Sequence, residues 1–164
     1  MASKQSGKEH LYDLLKDFDT AMLVTYPAGG LAHARPMAVA ELRPDADAYF
    51  VTAIDSPKVE EIEANPSVTL TFQSARQFAS VTGHISVVRD RALIERLWKD
   101  AWKVWFPEGP NDHAISLLKF DAERGEYWDN SGVKGLKYVF EAAKALAGGE
   151  QPSLSREQNS KVAL

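Results

Sequence analysis

The sequence predicts a mainly β, α+β domain: an antiparallel sheet of six or seven strands closed into a small barrel, with helices packed outside. Three observations carry this. Short apolar runs rich in Val, Thr, Leu and Phe arrive in hairpin-spaced pairs separated by turn clusters, not in strict βαβ alternation. Helical periodicity is confined to three or four segments between them. The 164 residues, 45% hydrophobic and 26% charged, fit a single domain over 1–164, with a core over about 10–147 and a polar, loosely held tail over 148–164. A chain of this length buries about 70% of its unfolded surface, so it needs no metal or disulfide staple.

The elements follow in order. Glu9 to Phe18 places Leu11, Leu14, Leu15 and Phe18 at helical spacing. Ala21 to Tyr26 and Leu31 to Leu42 read as two strands joined through Pro27-Ala28-Gly29-Gly30. Asp45-Ala46-Asp47 turns the chain into a third strand, Ala48 to Ile54. Ser56 suits a helix N-cap and Pro57 the first helical position; Val59 and Ile62 give the helix an apolar edge, and Asn65-Pro66 stops it. Ser67 to Ser74 and Phe78 to Val88 alternate as strands. Asp90 caps the longest expected helix, Arg91 to Phe106, ended by Pro107, Gly109 and Pro110. Ile115 to Phe120 and Glu126 to Asp129 read as a hairpin around Glu123-Arg124-Gly125. A last helix is expected from Gly135 to Leu146, and Val162-Ala163-Leu164 is the part of the tail able to dock.

Composition excludes several functions. No cysteine occurs, which removes disulfides, thiol catalysis and cysteine zinc sites and agrees with a cytoplasmic location. With 19 basic against 23 acidic residues, a net charge of -4 and no dense basic run, no nucleic-acid partner is expected. The N-terminal stretch is charged throughout, and no apolar run approaches the ~18 residues of a membrane span, so no membrane partner is expected either. His10, His33, His84 and His113 lack ligand spacing, and no metal is expected. Ser131-Gly132-Val133-Lys134 matches the S-x-x-K string of serine acylases without its companion motifs and reads as a chance match. No G-x-G-x-x-G or P-loop follows a strand.

Three groups of residues carry chemistry. Thr52, Ser56 and Lys58 sit where a strand passes into a short helix, where free amides, a hydroxyl and a compact cation favour a phosphate. The alternative is that Ser56 only caps and Lys58 only faces water. In AHARPMAVA, alternation puts His33, Arg35, Met37 and Val39 on one face of a strand. A mid-strand Arg wants a bound or buried partner, Pro36 interrupts the ladder, and Met37 with the alanines offers a surface for a flat ring. The alternative is an edge strand with Arg35 paired to a carboxylate. Trp98, Trp102 and Trp105 follow i, i+4, i+7, a core spacing first, with Trp98 the strongest core candidate; Trp102 and Trp105 have less claim to the core, and Trp128 has no periodicity argument for it.

In this order, LVTY (Leu23 to Tyr26), ARPM (Ala34 to Met37), YFVTAIDSPKVEEIEANPSVTLTF (Tyr49 to Phe72), the Gly83 strand, WKDAWKVWFPEGP (Trp98 to Pro110) and EYWD (Glu126 to Asp129) resemble the pyridoxamine 5'-phosphate oxidase-like, FMN-binding split β-barrels, and within them the general stress protein 26 branch. The resemblance implies a homodimeric split barrel with FMN, or FAD or another flavin, at the subunit interface. It implies that Arg35, Pro36 and Met37 face the flavin ring and that Val51 and Thr52 meet the ribityl chain or phosphate. Ser56 and Lys58 match the oxidases' phosphate-binding S-R-K string, with Pro57 in place of its arginine. Trp128 matches the Trp of E-F-W, which reaches the flavin held mainly by the other subunit. Gln73 and Gln77 are equal candidates for a hydrogen bond to the ring, and Trp105 lies in a matching string.

The resemblance also has gaps. The oxidases' R-L-H-D-R segment has no counterpart after Trp128, which speaks against vitamin B6 oxidation. The function implied is that of a flavin-binding general stress protein, a flavin-dependent oxidoreductase of unassigned substrate with no identifiable catalytic acid or base. The alternatives are a non-catalytic flavin reservoir or redox sensor, the same fold with a deazaflavin or haem, and a pure interaction module.

Overall fold

In the computed structural model, residues 6–132 and 159–164 are described. Ser6 starts α1 (Gly7–Leu15) with a capping box: its hydroxyl accepts the Glu9 N–H and the Glu9 carboxylate accepts the Ser6 N–H. Leu11, Leu14 and Leu15 are buried. The helix stops before Phe18, whose N–H turns back to the Leu15 carbonyl while its ring packs edge-on against Phe72 at 5.7 Å.

The strands are β1 (Thr20–Thr25), β2 (His33–Leu42), β3 (Ala48–Ala53), β4 (Ser67–Gln73), β5 (Gln77–Val88), β6 (Ile115–Asp129) and β7 (Asn159–Ala163); α2 (Pro57–Ala64) follows β3 and α3 (Arg91–Leu97) follows β5. Their order is β3-β2-β1-β4-β5-β6-β7, and a further β3–β6 pairing closes six of them into an antiparallel barrel. The α+β barrel expected from the sequence is therefore the fold. Alternation builds its interior: Val68, Leu70 and Phe72 of β4 point inward, while Thr69 and Thr71 point outward. Leu11, Leu23, Phe50, Leu70, Val81 and Phe120 fill the barrel. A second core lies outside it, where Tyr49, Val51 and Leu117 meet Ile94, Trp102 and Phe106.

Two expected elements differ. The helix expected from Arg91 to Phe106 breaks at Trp98, whose ψ of 136° is extended, and resumes as a 3-10 turn over Asp100–Val104. One continuous helix would carry Trp105 toward the same side as Leu97 and Trp102. The break lets Trp98 pack edge-on to Trp102 and turns Val104 and Trp105 outward. The hairpin expected around Glu123-Arg124-Gly125 is instead the middle of one 15-residue strand, β6. Gly125 is there for packing rather than turning, since a Cβ would lie 2.5 Å from Leu11 Cδ2. The helix expected over Gly135 to Leu146 lies outside the described residues, but the chain's end does dock: β7 pairs with β6 and buries Val162. Among the described residues no helix is long and apolar enough to cross a membrane.

One irregularity positions the site. β2 and β3 pair only from Val39↔Phe50 to Leu42↔Ala48, through a bulge between Val39 and Glu41. Beyond it, β2 stays with β1 through Thr25↔His33, while β3 stays with β6 through Ala53↔Ile115. The two strands part, and the barrel is split between Pro36–Ala38 and Val51–Ala53.

Closure depends on β5 bulging against β6 between Thr82 and Gly83, where a Cβ on Gly83 would meet the Asp121 carbonyl oxygen at 2.1 Å. Gly83→Ala is expected to destabilise the fold by about 1–3 kcal/mol or more, because backbone is the obstacle; urea denaturation read by tryptophan fluorescence measures it, and an unchanged midpoint contradicts this account of the bulge.

Candidate functional site

The split is a groove of about 640 Å³, lined by Pro36, Met37 and Ala38 from β2, Val51, Thr52 and Ala53 from β3, Ser56 and Lys58 at the start of α2, and Val104, Trp105 and Phe106 beyond the 3-10 turn. That volume lies in the ordinary range of small-molecule sites, about 300–1,000 Å³. Its floor is apolar, with Met37 and Val51 buried; its rim is an exposed indole, Trp105 being 64% exposed.

One end of the groove carries a cation. Ser56 holds the N-cap position of α2, but its side chain caps nothing. It accepts instead from the Lys58 ammonium at 2.6 Å, and Thr52 Oγ1 accepts from the same ammonium at 3.1 Å. An ammonium has three donors, so one remains. Lys58 is half-buried and makes no ion pair among the described residues. Burial, and then the nearby Arg35 charge, lower its pKa from the usual lysine value. The charge of Glu61 acts the other way and is outweighed. The possibility that Lys58 merely faces water is thus replaced by an ordered cation between two hydroxyls.

Arg35 is placed behind this end rather than in the groove lining. Its Nη2 meets Glu61 Oε2 of α2 at 2.5 Å, and its Nη1 donates to Thr25 Oγ1 at 2.7 Å. The Thr25 hydroxyl, fully buried, donates in turn to Glu61 Oε2. His33 Nδ1 lies 2.7 Å from Arg35 Nη2 and 3.1 Å from Glu61 Oε1. It accepts from the guanidinium or, when protonated, donates to the carboxylate, one at a time. The Thr25 hydroxyl is the largest cause holding Glu61 down at a pKa of about 2; burial opposes it, and His33 and Arg35 add to it. The carboxylate alternative for Arg35 is thus realised. Thr25 and Glu61 went unmarked in the sequence, where Glu61's only signal is its place three residues after Lys58 in an acidic helix.

The remaining expected residues lie elsewhere in the monomer. Gln73, Phe78 and Trp128 form one cross-strand row on β4, β5 and β6. Gln77 Nε2 donates weakly to Ser131 Oγ at 3.4 Å. Ser131 Oγ donates to Asp129, which also bonds His10 Nε2 at 2.9 Å. Burial alone would raise the Asp129 pKa, but the Ser131 hydroxyl and N–H, together with His10, outweigh it and lower the value. Ser131 of the S-x-x-K string is therefore engaged here, and Lys134 lies outside the described residues. One chain thus brings together Pro36, Met37, Val51, Thr52, Ser56, Lys58 and Trp105, and leaves Gln73, Gln77 and Trp128 on a different part of the sheet. Ala38, Ala53, Val104 and Phe106 join the lining unannounced, because only the strand split and the helix break expose them.

A six-stranded barrel opened along one seam, with a cation-tipped apolar groove in the seam, defines a class of small-ligand-binding split barrel. The chain belongs to the pyridoxamine 5'-phosphate oxidase-like family, whose sequence model matches residues 6–153. Among solved structures it is similar to the general stress FMN/FAD binding protein of Xanthomonas citri, with 28% identity, a TM-score of 0.65, and 76% of this chain and 89% of that one covered. Two more share the fold. One is the general stress protein 26 of Bacillus anthracis str. Sterne, at 24% identity, TM-score 0.65, covering 73% and 92%. The other is a Clostridium acetobutylicum protein related to general stress protein 26, at 23% identity, TM-score 0.67, covering 74% and 87%. No curated protein matches the chain.

The depressed Glu61 pKa has a consequence for acid stability. Its ordinary value is 4.5 and its folded value about 2. Folding therefore gains from this carboxylate fully above pH 4.5, and the gain drains as pH falls toward 2. Denaturation midpoints measured at several pH values are expected to fall less steeply below pH 4.5 in Glu61→Gln than in wild type. Parallel curves would mean that the carboxylate is not held as described.

Proposed function

We propose that the chain binds a flavin in the barrel split, FMN before FAD, and acts as a flavin-dependent oxidoreductase of the general stress type in the cytoplasm. The observation that carries this is the Thr52–Ser56–Lys58 cluster at one end of an apolar, ring-sized groove. Lys58 keeps one donor and makes no ion pair among the described residues, which suits the terminal phosphate monoester of FMN, a dianion, better than the singly charged diester phosphates of FAD. Met37 and Val51 offer the apolar surface for the ring, and Trp105 stands at the rim to exclude water. The naming of the Xanthomonas citri relative as an FMN/FAD binding protein agrees with this reading. A bound flavin supplies the electron transfer itself; the protein's part is to hold, orient and shield it.

The reading includes a homodimer that shares the site. Register and alternation put Ala34 and Pro36 of β2, Met22 and Val24 of β1, Thr69 and Thr71 of β4, Ser80 and Phe78 of β5, and Trp128 of β6 on one face of the sheet. From Ala34 to Phe78 this face is uncharged, and it is open or half-open to solvent. Pro36 borders the groove, but Trp128 sits four strand spacings of about 4.8 Å away, beyond reach of its own groove. A second copy packed face to face by a two-fold axis would bring each Trp128 toward the other's Pro36, and the interface would be isologous.

A second reading is favoured by one observation. Among the described residues Lys58 is the only acidic or basic side chain in the groove lining, and with it committed to the ligand's phosphate no other is at hand to move a proton for a substrate. A flavin carrier or sensor needs none. Sustained turnover with a reductant and an acceptor separates the two.

FMN titrated into flavin-free protein is expected to bind saturably. Lys58→Ala should weaken it about tenfold or more, the worth of a lost charge-assisted hydrogen bond, and leave the weaker riboflavin binding unchanged. Wild type that ignores FMN ends this reading. Met22→Asp, which sets a charge in the middle of the uncharged face, is expected to yield a monomer by analytical ultracentrifugation and to lose FMN affinity. A monomer that binds FMN as tightly as wild type would show that the site is not shared.

A further inference from the structure

Lys58 and Glu61 stand three apart on α2, a spacing at which opposite charges ordinarily pair on a helix. Acid–lysine pairs at that spacing do form in this protein: Asp13 holds Lys16 at 2.7 Å and Asp100 holds Lys103 at 3.3 Å. Glu61 does not take Lys58. Its Oε2 accepts from both Arg35 and Thr25, and its Oε1 faces His33, so the carboxylate is turned to the strands and filled. The Arg35 and Glu61 side chains are only 14% and 19% exposed, which limits screening of the pair. A lysine preceding its acid is also the weaker order for such a pair. The tether to Arg35 therefore tips a modest balance.

We infer that Arg35 and Glu61 are positioning residues that sort charge at the groove: by holding Glu61 on the β1–β2 side, Arg35 keeps the carboxylate off Lys58 and leaves that ammonium free for the phosphate end of the ligand. This rests on the flavin reading above and deepens it, because it makes discrimination between FMN and riboflavin depend on two residues outside the groove lining. Without Arg35, Glu61 is released to its neighbour three residues back, and an internal carboxylate competes with the phosphate. Removing Glu61 as well removes the competitor.

The test is a double-mutant cycle on the full chain, with FMN and riboflavin as probes. Arg35→Gln is expected to lower the ratio of riboflavin to FMN dissociation constants about tenfold, and Arg35→Gln combined with Glu61→Gln to restore most of it. A structural defect alone, or an Arg35 that grips the phosphate itself, would leave the ratio low in the double variant and overturn the inference; so would an unchanged ratio in the single variant. A second readout needs no flavin. In protein carrying 13C-dimethylated lysines, with Lys58 assigned through Lys58→Arg, Glu61→Gln should move the Lys58 titration to lower pH by more in the Arg35→Gln background than in wild type, because loss of the Arg35 charge alone shifts Lys58 upward wherever Glu61 lies. An equal Glu61→Gln shift in the two backgrounds overturns the inference even if wild type binds no flavin, whereas a larger shift without Arg35 in protein that binds no flavin upholds the charge sorting and refutes the ligand. Should Arg35→Gln fail to fold, Thr25→Val removes one donor from Glu61 and is expected to shift both readouts the same way by less; no shift counts against the inference.

Discussion

Everything in this structure hangs on the two edges of β3, one paired over its whole length and the other over only part of it. Its six residues pair along their whole length with β6, from Ala48↔Phe120 to Ala53↔Ile115, but with β2 only up to Val39↔Phe50. Closure against β6 satisfies one edge of β3 in full, and the bulge between Val39 and Glu41 turns β2 away from the other. What β2 leaves behind is a seam with backbone on both sides and side chains small enough to keep it open, Pro36 and Ala38 facing Val51 and Ala53. The groove is thus a by-product of the bulge in β2. Closure itself depends on Gly83, which permits β5 to approach the Asp121 carbonyl where β6 bends.

Charge in the seam is arranged rather than merely present. Two cations, Arg35 and Lys58, lie close enough to disfavour each other, and one carboxylate, Glu61, is available to both. The buried Thr25 hydroxyl settles the division by bonding both Arg35 and Glu61. A low-exposure pair of this kind costs desolvation and is weak evidence of stabilisation in itself. Its effect is more specific: it ties α2 to the β1–β2 hairpin and leaves Lys58 with two neutral oxygen partners and an open third position. The same short stretch therefore fixes the helix and prepares its first turn for an anion.

The outer core plays a supporting part. Trp102 and Phe106 anchor the segment after α3 against Val51 and Leu117, and Val104 and Trp105 stand out exposed over the groove. An exposed indole beside an apolar slot is a large surface left uncovered within one chain. The uncharged sheet face that begins at Pro36 is another, and the two meet at the groove.

The sequence by itself determined the elements and their faces. Alternation in Val68 to Phe72, the capping signals at Ser56 and Asp90, and the Asn65-Pro66 stop are local physics, and the structure keeps each of them, though Ser56 caps only by position. The proximity of Ser56 to Lys58 was legible for the same reason, being two residues apart. Tertiary structure decided what local signals cannot carry. Glu123-Arg124-Gly125 looked like a turn because a glycine that makes room for Leu11 has the same letter as one that bends a chain. The tryptophan periodicity from Trp98 to Trp105 did not reveal that the second core has room for Leu97 and Trp102 but not for Trp105. Arg35 was visible as a charge needing a partner, but only the packing of α2 against β1 and β2 brings Glu61 to it, because long-range pairing follows from which surfaces the barrel forces together.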